Sequence, residues 1–319
     1  MLKVYSRKRG GIAQGMVRDI STFRNNWISC TTPTTAEKKA IAKKLKIPSS
    51  RLRKFLRMDT RPQIYSNKNV SAVVLAAPHI HEKSKIVGKT PVTIFFKGPN
   101  NMLVLSNRKV DALDRMIKEA KDQPEQFRKS ATFLREFISE INSDYFKCLD
   151  NIEDQIDKIE KSVFKRQQKK QMVEIFRLKK SLLYLHKALI ANREILTMIE
   201  KGNIKQLPKK ELPSFRYAYN DIIHLIDLQD TYQFIISGVM EMYLSQVSNN
   251  LNVIMKKLTS WAALVLIPTL IASIYGMNFK DGGLNMPELY WEYGYIFSLG
   301  LMIVSVAVMW IYFKKKDWL

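Results

Sequence analysis

The spacing of apolar and polar residues changes character along the chain, and each change marks a different kind of element. Residues 1–60 are basic and weakly patterned; Arg7-Lys-Arg-Gly-Gly11 reads as a turn, and Thr35 to Lys46 as a short helix capped near Thr34 or Thr35. Runs rich in β-branched and aromatic residues follow at Pro62–Tyr65, Val70–Ala77, Val92–Phe96 and Met102–Ser106, and Gly98-Pro-Asn-Asn101 is a turn signal between the last two. They predict a small sheet within residues 3–107. From Asp111 the period becomes helical: a short helix over 111–121, then long ones over about 124–165 and 169–201. Ile152, Ile156, Ile159 and Val163 share one helix face, and Leu178, Leu182, Leu185 and Leu189 share another, as in a coiled antiparallel hairpin. Gly202-Asn203 and Leu207-Pro208 break the pattern. A last helix starts near Pro213 and meets no stop until Gly276, about 60 residues or about 90 Å of helix.

The end of that helix and the segment after it are apolar enough to cross a bilayer. Leu258–Tyr275 and Gly294–Phe313 contain no charged residue, and about 20 apolar residues span the hydrocarbon core. Tyr275, Trp291, Tyr293, Tyr295, Trp310 and Tyr312 lie at their ends, where interfacial aromatic rings belong. Pro268 inside the first span reads as a tolerated kink or as a hinge. The flanks set the orientation. Lys256 and Lys257 precede the first span and Lys314, Lys315 and Lys316 follow the second, whereas the connecting loop holds Lys280 against Asp281, Glu288 and Glu292. Lys and Arg mark the cytoplasmic side, so both termini are expected in the cytoplasm of a multi-pass protein of the cell (plasma or inner) membrane. Met1 to Arg9 lacks the apolar core of a secretory signal. The expected segments are 1–110, an α/β domain; 111–257, a helical hairpin and stalk; 258–275, the first span; 276–293, the outer loop; 294–313, the second span; and 314–319, a basic tail.

Charge narrows the choice of partners. The 319 residues carry a net charge of +23; six of the 52 basic and four of the 29 acidic residues lie from Lys256 onward, leaving +21 before it. Anionic lipid headgroups, nucleic acid or a merely solvated basic surface would each suit that excess. No nucleic-acid recognition motif is present, so lipid and solvation are favoured and no nucleic-acid partner is expected. Cys30 and Cys148 lie far apart and read as reduced thiols. His79, His81, His186 and His224 are scattered; His79 and His81 alternate along a strand, as a surface pair or a metal pair. No phosphate-binding loop, nucleophile elbow or metal-hydrolase helix occurs, so neither an enzyme nor an organic cofactor is expected.

One face of the last helix carries Asn252, Met255, Leu258, Ala262, Leu266, Thr269 and Ser273, a single stripe. Small and hydroxylated residues suit a packing seam between membrane helices. The same stripe suits a pore wall, and two spans per chain cannot enclose a pore, so that alternative requires an oligomer.

Tyr275-Gly-Met-Asn-Phe279, Met286-Pro-Glu-Leu289, Tyr293-Gly-Tyr295 and Phe313-Lys-Lys-Lys-Asp-Trp-Leu319 resemble the CorA family of magnesium transporters. The likeness covers the C-terminal quarter closely and the rest at the level of architecture. It implies a funnel-shaped homopentamer with a cytosolic α/β head, a long helical stalk and two C-terminal transmembrane helices, the first lining the pore and the second facing lipid. By the same resemblance Gly276, Met277 and Asn278 form the outer selectivity ring. Asn252 lines the cytosolic mouth, Met255 and Leu258 the apolar gate, and Thr269 supplies the mid-pore hydroxyl. Leu266 stands where relatives often carry Met. Mg²⁺ is the implied cargo, with Co²⁺ and Ni²⁺ further candidates. Glu288 and Glu292 would draw cations to the outer mouth.

Relatives sense internal magnesium through carboxylates between subunits. This chain is poor in acid; its cluster is Asp150, Glu153, Asp154, Asp157 and Glu160, with Asp150, Asp154 and Asp157 on one face, and Glu241 on the stalk is a second candidate for regulatory metal. A solvated helix surface is the favoured reading of the cluster on α-helical spacing alone. A zinc transporter of the same superfamily is the competing function, and a membrane-anchored nucleic-acid-binding module a more distant one.

Overall fold

The computed structural model describes residues 2–8, 11–15, 26–67, 70–98, 101–122, 129–163, 169–278 and 286–318. The turns expected at 7–11 and 98–101 and the loop residues Phe279 to Asn285 lie partly or wholly outside them. The chain divides into two compact units, Met1–Met240 and Glu241–Leu319.

The first unit is built on a seven-stranded sheet. Its strands are β1 (Leu2–Lys8), β2 (Gly11–Gly15), β3 (Asn26–Thr31), β4 (Gln63–Ser66), β5 (Ser71–Ile80), β6 (Val87–Phe96) and β7 (Met102–Ser106), in spatial order β2-β1-β3-β7-β6-β5-β4. Neighbours are antiparallel except β3 and β7, which pair in parallel with Ile28 opposite Leu103. Between β3 and β4 come α1 (Thr35–Leu45) and α2 (Ser49–Phe55). The expected cap of α1 forms as a reciprocal pair. The Glu37 amide donates to Thr34 Oγ1 at 3.3 Å, and Thr34's amide donates to Glu37 Oε2 at 2.7 Å, satisfying two orphan N–H groups of the first turn. The seven-residue α2, which the sequence pattern did not mark, follows Pro48 and buries Leu52 and Phe55.

Strands β5, β6 and β7 are buried on both faces, and the period-2 alternation sorts their residues between two helical layers. Val70, Ala72, Val74, Phe95, Leu103 and Leu105 pack with Ile41, Leu45, Leu52 and Phe55 of α1 and α2. The other face meets α4 (Ser130–Val163) and α5 (Lys169–Glu200), which follow α3 (Asp111–Asp122). The predicted seams are observed: Ile152, Ile156, Ile159 and Val163 on α4 and Leu178, Leu182, Leu185 and Leu189 on α5 are all buried. Because these helices share a unit with the sheet, the change from strands to helices near residue 110 is not a boundary between compact bodies.

A buried polar clamp fixes the hairpin to the sheet. Ala76 sits opposite Pro91, which has no N–H, and beyond the end of β4, whose Gln63 pairs with Val74. Asn192 on α5 takes both of its backbone groups: Oδ1 accepts from the Ala76 amide at 2.9 Å and Nδ2 donates to the Ala76 carbonyl at 2.8 Å. Tyr145 on α4 donates to the same carbonyl at 3.0 Å. The side chains thus do for Ala76 what a neighbouring strand would. Both cysteines are free; burial pushes each thiol up to about 11, aided at Cys30 by Glu37 and at Cys148 by Asp144.

After a 3-10 segment at Lys209–Phe215, α6 runs without a break over Arg216–Tyr275. The helix begins slightly later than the sequence suggested because Pro208 and Pro213 hold the preceding turns in the tighter form. The second unit comprises the rest of α6 from Glu241, a 3-10 turn at Pro287–Tyr290 and α7 (Gly294–Lys315).

Candidate functional site

The two predicted spans coincide with the end of α6 and with α7. Both pass as membrane-crossing helices by length and composition, and only 11% of the most apolar window of each is buried within the chain. A core helix of a soluble protein would be covered; these present large apolar residues outward, including Trp261, Leu270, Ile303 and Val308.

Asn252, Met255, Leu258, Ala262, Leu266, Thr269 and Ser273 are all exposed on one uninterrupted helix, Met255 at 57%, Leu258 at 61% and Leu266 at 67%. The buried or half-buried positions between Asn252 and Ser273 are Ser260, Ala263, Leu264, Ile267, Pro268 and Ile271. Three hydroxyls of this unit are satisfied by their own helix backbone. Ser260 Oγ donates to the Lys256 carbonyl at 2.9 Å, Thr269 Oγ1 to the Val265 carbonyl at 2.8 Å and Ser298 Oγ to the Tyr295 carbonyl at 2.9 Å. An apolar surround therefore does not leave these donors stranded. Pro268 lies within the continuous helix and cannot give an N–H to the Leu264 carbonyl.

At the end of α6 the Gly276 amide donates to the Ala272 carbonyl at 3.0 Å and the Met277 amide to the Ile274 carbonyl at 3.1 Å. A Cβ on Gly276 would stand 3.3 Å from the Ala272 oxygen, tight against the last turn. Gly276, Met277 and Asn278 are exposed, so the terminal amide side chain is free to meet water or ion. The loop returns through Met286, which takes a left-handed backbone at φ 41° before Pro287. Glu288 is half-buried and Glu292 exposed. Met286, Pro287 and Glu288 line a cleft of about 370 Å³ with Ile271, Ile274, Tyr275 and Leu301. Trp291 packs against Tyr293 and Phe297, each with ring centroids 6.0 Å apart, at the head of α7. At its other end Lys314 lies 4.9 Å over the Trp310 ring and Phe313 stacks on Trp318. Both ends of α7 thus carry aromatic rings, and the C-terminal end lysines as well, as suits a bilayer interface.

Asp150, Asp154 and Asp157 are exposed along α4, and Glu241 is exposed on α6. Asp157 lies 4.0 Å from Lys161, and Glu153 instead accepts a 2.7 Å hydrogen bond from Tyr232, whose phenol is pushed up by burial and by that carboxylate. Among the described residues no group of three His, Cys, Asp or Glu side chains could hold a metal. His79 and His81 pack edge to face with ring centroids 5.5 Å apart, as a pair at the strand end.

Comparison with known proteins agrees with the geometry. A family model described as CorA-like Mg²⁺ transporter protein matches residues 24–315. The chain belongs to this family. A cobalt/magnesium transport protein CorA from Thermotoga maritima is 39% identical over 186 residues, which are 58% of this chain and 52% of that protein. The protein of the same name from Methanocaldococcus jannaschii is 29% identical over 318 residues, 98% of each chain. The solved complete structure of the CorA magnesium transporter from Methanocaldococcus jannaschii superposes with a TM-score of 0.85 at 25% identity, covering 100% of this chain and 99% of that one. The cytoplasmic domain of ZntB from Vibrio parahaemolyticus, at a TM-score of 0.61 and 12% identity over 77% of this chain and 98% of that one, shares the fold alone. CorA membership makes the protein a membrane transporter and not an enzyme, with the α/β domain, long helix and two C-terminal apolar helices of that architecture.

Proposed function

We propose that the chain is one subunit of a homopentameric conduit that takes up Mg²⁺, with Co²⁺ and Ni²⁺ as further cargo, and that five copies of α6 surround its axis. The observation that carries this reading is the exposed stripe from Asn252 to Ser273, which ends on Gly276, Met277 and Asn278 in a CorA chain. A helix face with an amide at one end, large apolar side chains beside it and hydroxyls further along suits contact with both water and its own copies.

The chemistry follows from the ion. Mg²⁺ is small and gives up its water reluctantly. A site for the hydrated ion offers amide and carbonyl oxygens to the bound waters, which Asn278 and the backbone of Gly276 and Met277 supply at the outer mouth. Neutral ligands also let the ion leave, as conduction requires. Glu292, and Glu288 to the extent it is exposed, raise the cation concentration outside the entrance. Rings of Met255 and Leu258 close the pathway by excluding water, and Asn252 receives the ion on the cytoplasmic side. The inside-negative potential, about 2.3 kcal/mol per charge per 100 mV, drives passage with no chemical step. Lys256, Lys257 and Lys314 to Lys316 support an orientation with both termini in the cytoplasm.

Uptake of Mg²⁺ into proteoliposomes under an imposed potential tests this, with Asn278→Ala as the comparison and Zn²⁺ as the competitor. The expected result is potential-dependent uptake that the variant loses. Uptake that persists with potential and gradient both abolished, or preferential uptake of Zn²⁺, would overturn it. Asp150, Asp154, Asp157 and Glu241 are the proposed contributors to inhibition by internal Mg²⁺ between subunits; unchanged inhibition after their neutralisation removes them.

A further inference from the structure

The strongly basic first unit contains a cleft of about 770 Å³ that the ion path does not use. Four basic side chains line it: Arg61 before β4, Lys89 on β6, Arg108 after β7 and Lys187 on α5. Glu194 is the one carboxylate on the same wall. Tyr184, an exposed ring on α5, completes an aromatic side. Four separate segments thus bring like charges to one concavity.

The charges are not neutralised. Among the described residues none of the four cations forms an ion pair. The Nη1 atom of Arg108 is buried and has no hydrogen-bond partner there, a cost that a native site ordinarily avoids. Lys89 Nζ donates to the Thr60 carbonyl at 3.1 Å, which uses one of three N–H bonds. Burial holds the Lys89 ammonium below the usual lysine range and the charge of Arg61 adds to this. Asp59 opposes the shift, but its carboxylate is engaged by Arg57 at 2.8 and 3.0 Å. Gly88 keeps the wall open beside His81, since a Cβ there would come within 3.0 Å of the His81 ring nitrogen.

We infer that this cleft binds a metal-free, phosphate-rich small anion, and that a nucleoside triphosphate is the class it fits. The volume lies within the roughly 300–1,000 Å³ of small-molecule sites, and guanidinium and ammonium groups are the natural donors to phosphate oxygens. The preference for the metal-free form comes from the wall. A Mg²⁺ riding on the phosphates would cancel two of the charges that the cations attract, and one carboxylate is too little to hold it. Occupancy therefore falls as Mg²⁺ rises, which ties the cleft to the family's cargo without a carboxylate cluster. The binding claim is independent of the conduction reading.

Titration calorimetry on the purified full-length protein in detergent, at low ionic strength in chelator-treated buffer, tests it with ATP, inorganic triphosphate, inorganic phosphate and adenosine. The expected result is saturable binding of ATP and of triphosphate, at least about tenfold tighter than phosphate or adenosine. Equal affinity for ATP and triphosphate would assign recognition to the phosphate chain, and tighter ATP binding would add the base; either supports the site. Saturating MgCl₂ should weaken ATP at least about tenfold, and the pair Lys89→Gln with Arg108→Gln should do the same. Arg61→Ala and Lys187→Ala, both at exposed positions, keep the test valid if the half-buried pair of substitutions prevents folding, and each should weaken ATP severalfold. No saturable binding, affinity indifferent to Mg²⁺, or affinity unchanged in the exposed variants would overturn the inference.

Discussion

The backbone of Gly294 passes directly beneath the carbonyl of Glu288: a Cβ placed on Gly294 would lie 2.1 Å from the Glu288 oxygen. The contact closes the 3-10 turn Pro287–Tyr290 onto the first residue of α7, where the Gly294 amide donates to the Trp291 carbonyl at 2.9 Å. Any side chain at 294 forces the loop away from the helix head. Gly294→Ala is expected to cost about 1–3 kcal/mol of stability and to depress Mg²⁺ uptake together with the melting temperature. Gly300→Ala is the control, because its Cβ would meet nothing within 4 Å. Equal behaviour of the two variants would show that the close approach is not a constraint.

The proposed gate makes a prediction of opposite sign. Met255 and Leu258 are apolar and exposed one turn apart on α6. If their rings exclude water, polar replacements should wet the constriction. Met255→Asn and Leu258→Asn should each raise Mg²⁺ uptake severalfold, most visibly when internal Mg²⁺ is high and the native pathway is shut. Stopped-flow fluorescence of a Mg²⁺ dye in proteoliposomes reads the effect, and reduced uptake in both variants would place the constriction elsewhere.

Asn192 serves both backbone groups of Ala76 in the first unit. Removing its side chain strips Ala76 of a donor and an acceptor at once, and leaves only the Tyr145 hydroxyl on the carbonyl. Asn192→Ala should cost about 2–4 kcal/mol, since each buried group left unpaired costs about 1–3 kcal/mol. Tyr145→Phe should cost about 1 kcal/mol, because the Asn192 amide still serves the carbonyl. Denaturant unfolding of the first unit's signal distinguishes them; the reverse ranking would refute the clamp.

What was legible in the sequence was local and periodic. The seams through Ile152 to Val163 and Leu178 to Leu189 could be read because a helix repeats its buried face every few residues, and the cap of α1 was placed at Thr34 or Thr35, of which Thr34 forms it. The helix Ser49–Phe55 was not legible, since seven residues with Leu52 and Phe55 as their only large apolar groups leave no period to detect. The parallel pairing of β3 with β7 joins segments more than seventy residues apart, and nothing local encodes it. The site divides in the same way. The stripe from Asn252 to Ser273 lies on one helix, so spacing revealed it, whereas Gly276 to Asn278 were read from the family resemblance. The basic cleft is assembled from Arg61, Lys89, Arg108 and Lys187, whose proximity exists only after folding.

His79 links the stability of the first unit to pH. It is half-buried near the end of β5, edge-on to His81. Burial lowers its pKa below 6.5, the charges of Arg108 and His81 act in the same direction, and Glu82 and Asp111 oppose them. Between the lowered folded value and 6.5 the unfolded chain therefore binds more protons than the folded one. Stability must rise with pH across that window; the contribution is fully present above 6.5 and is lost as pH falls through the folded value. Unfolding midpoints measured through this range should decline toward acid for the native protein, and His79→Gln should flatten the decline below 6.5. Parallel curves for the two proteins would mean that His79 titrates alike in both states, and the acid sensitivity would then belong to other groups.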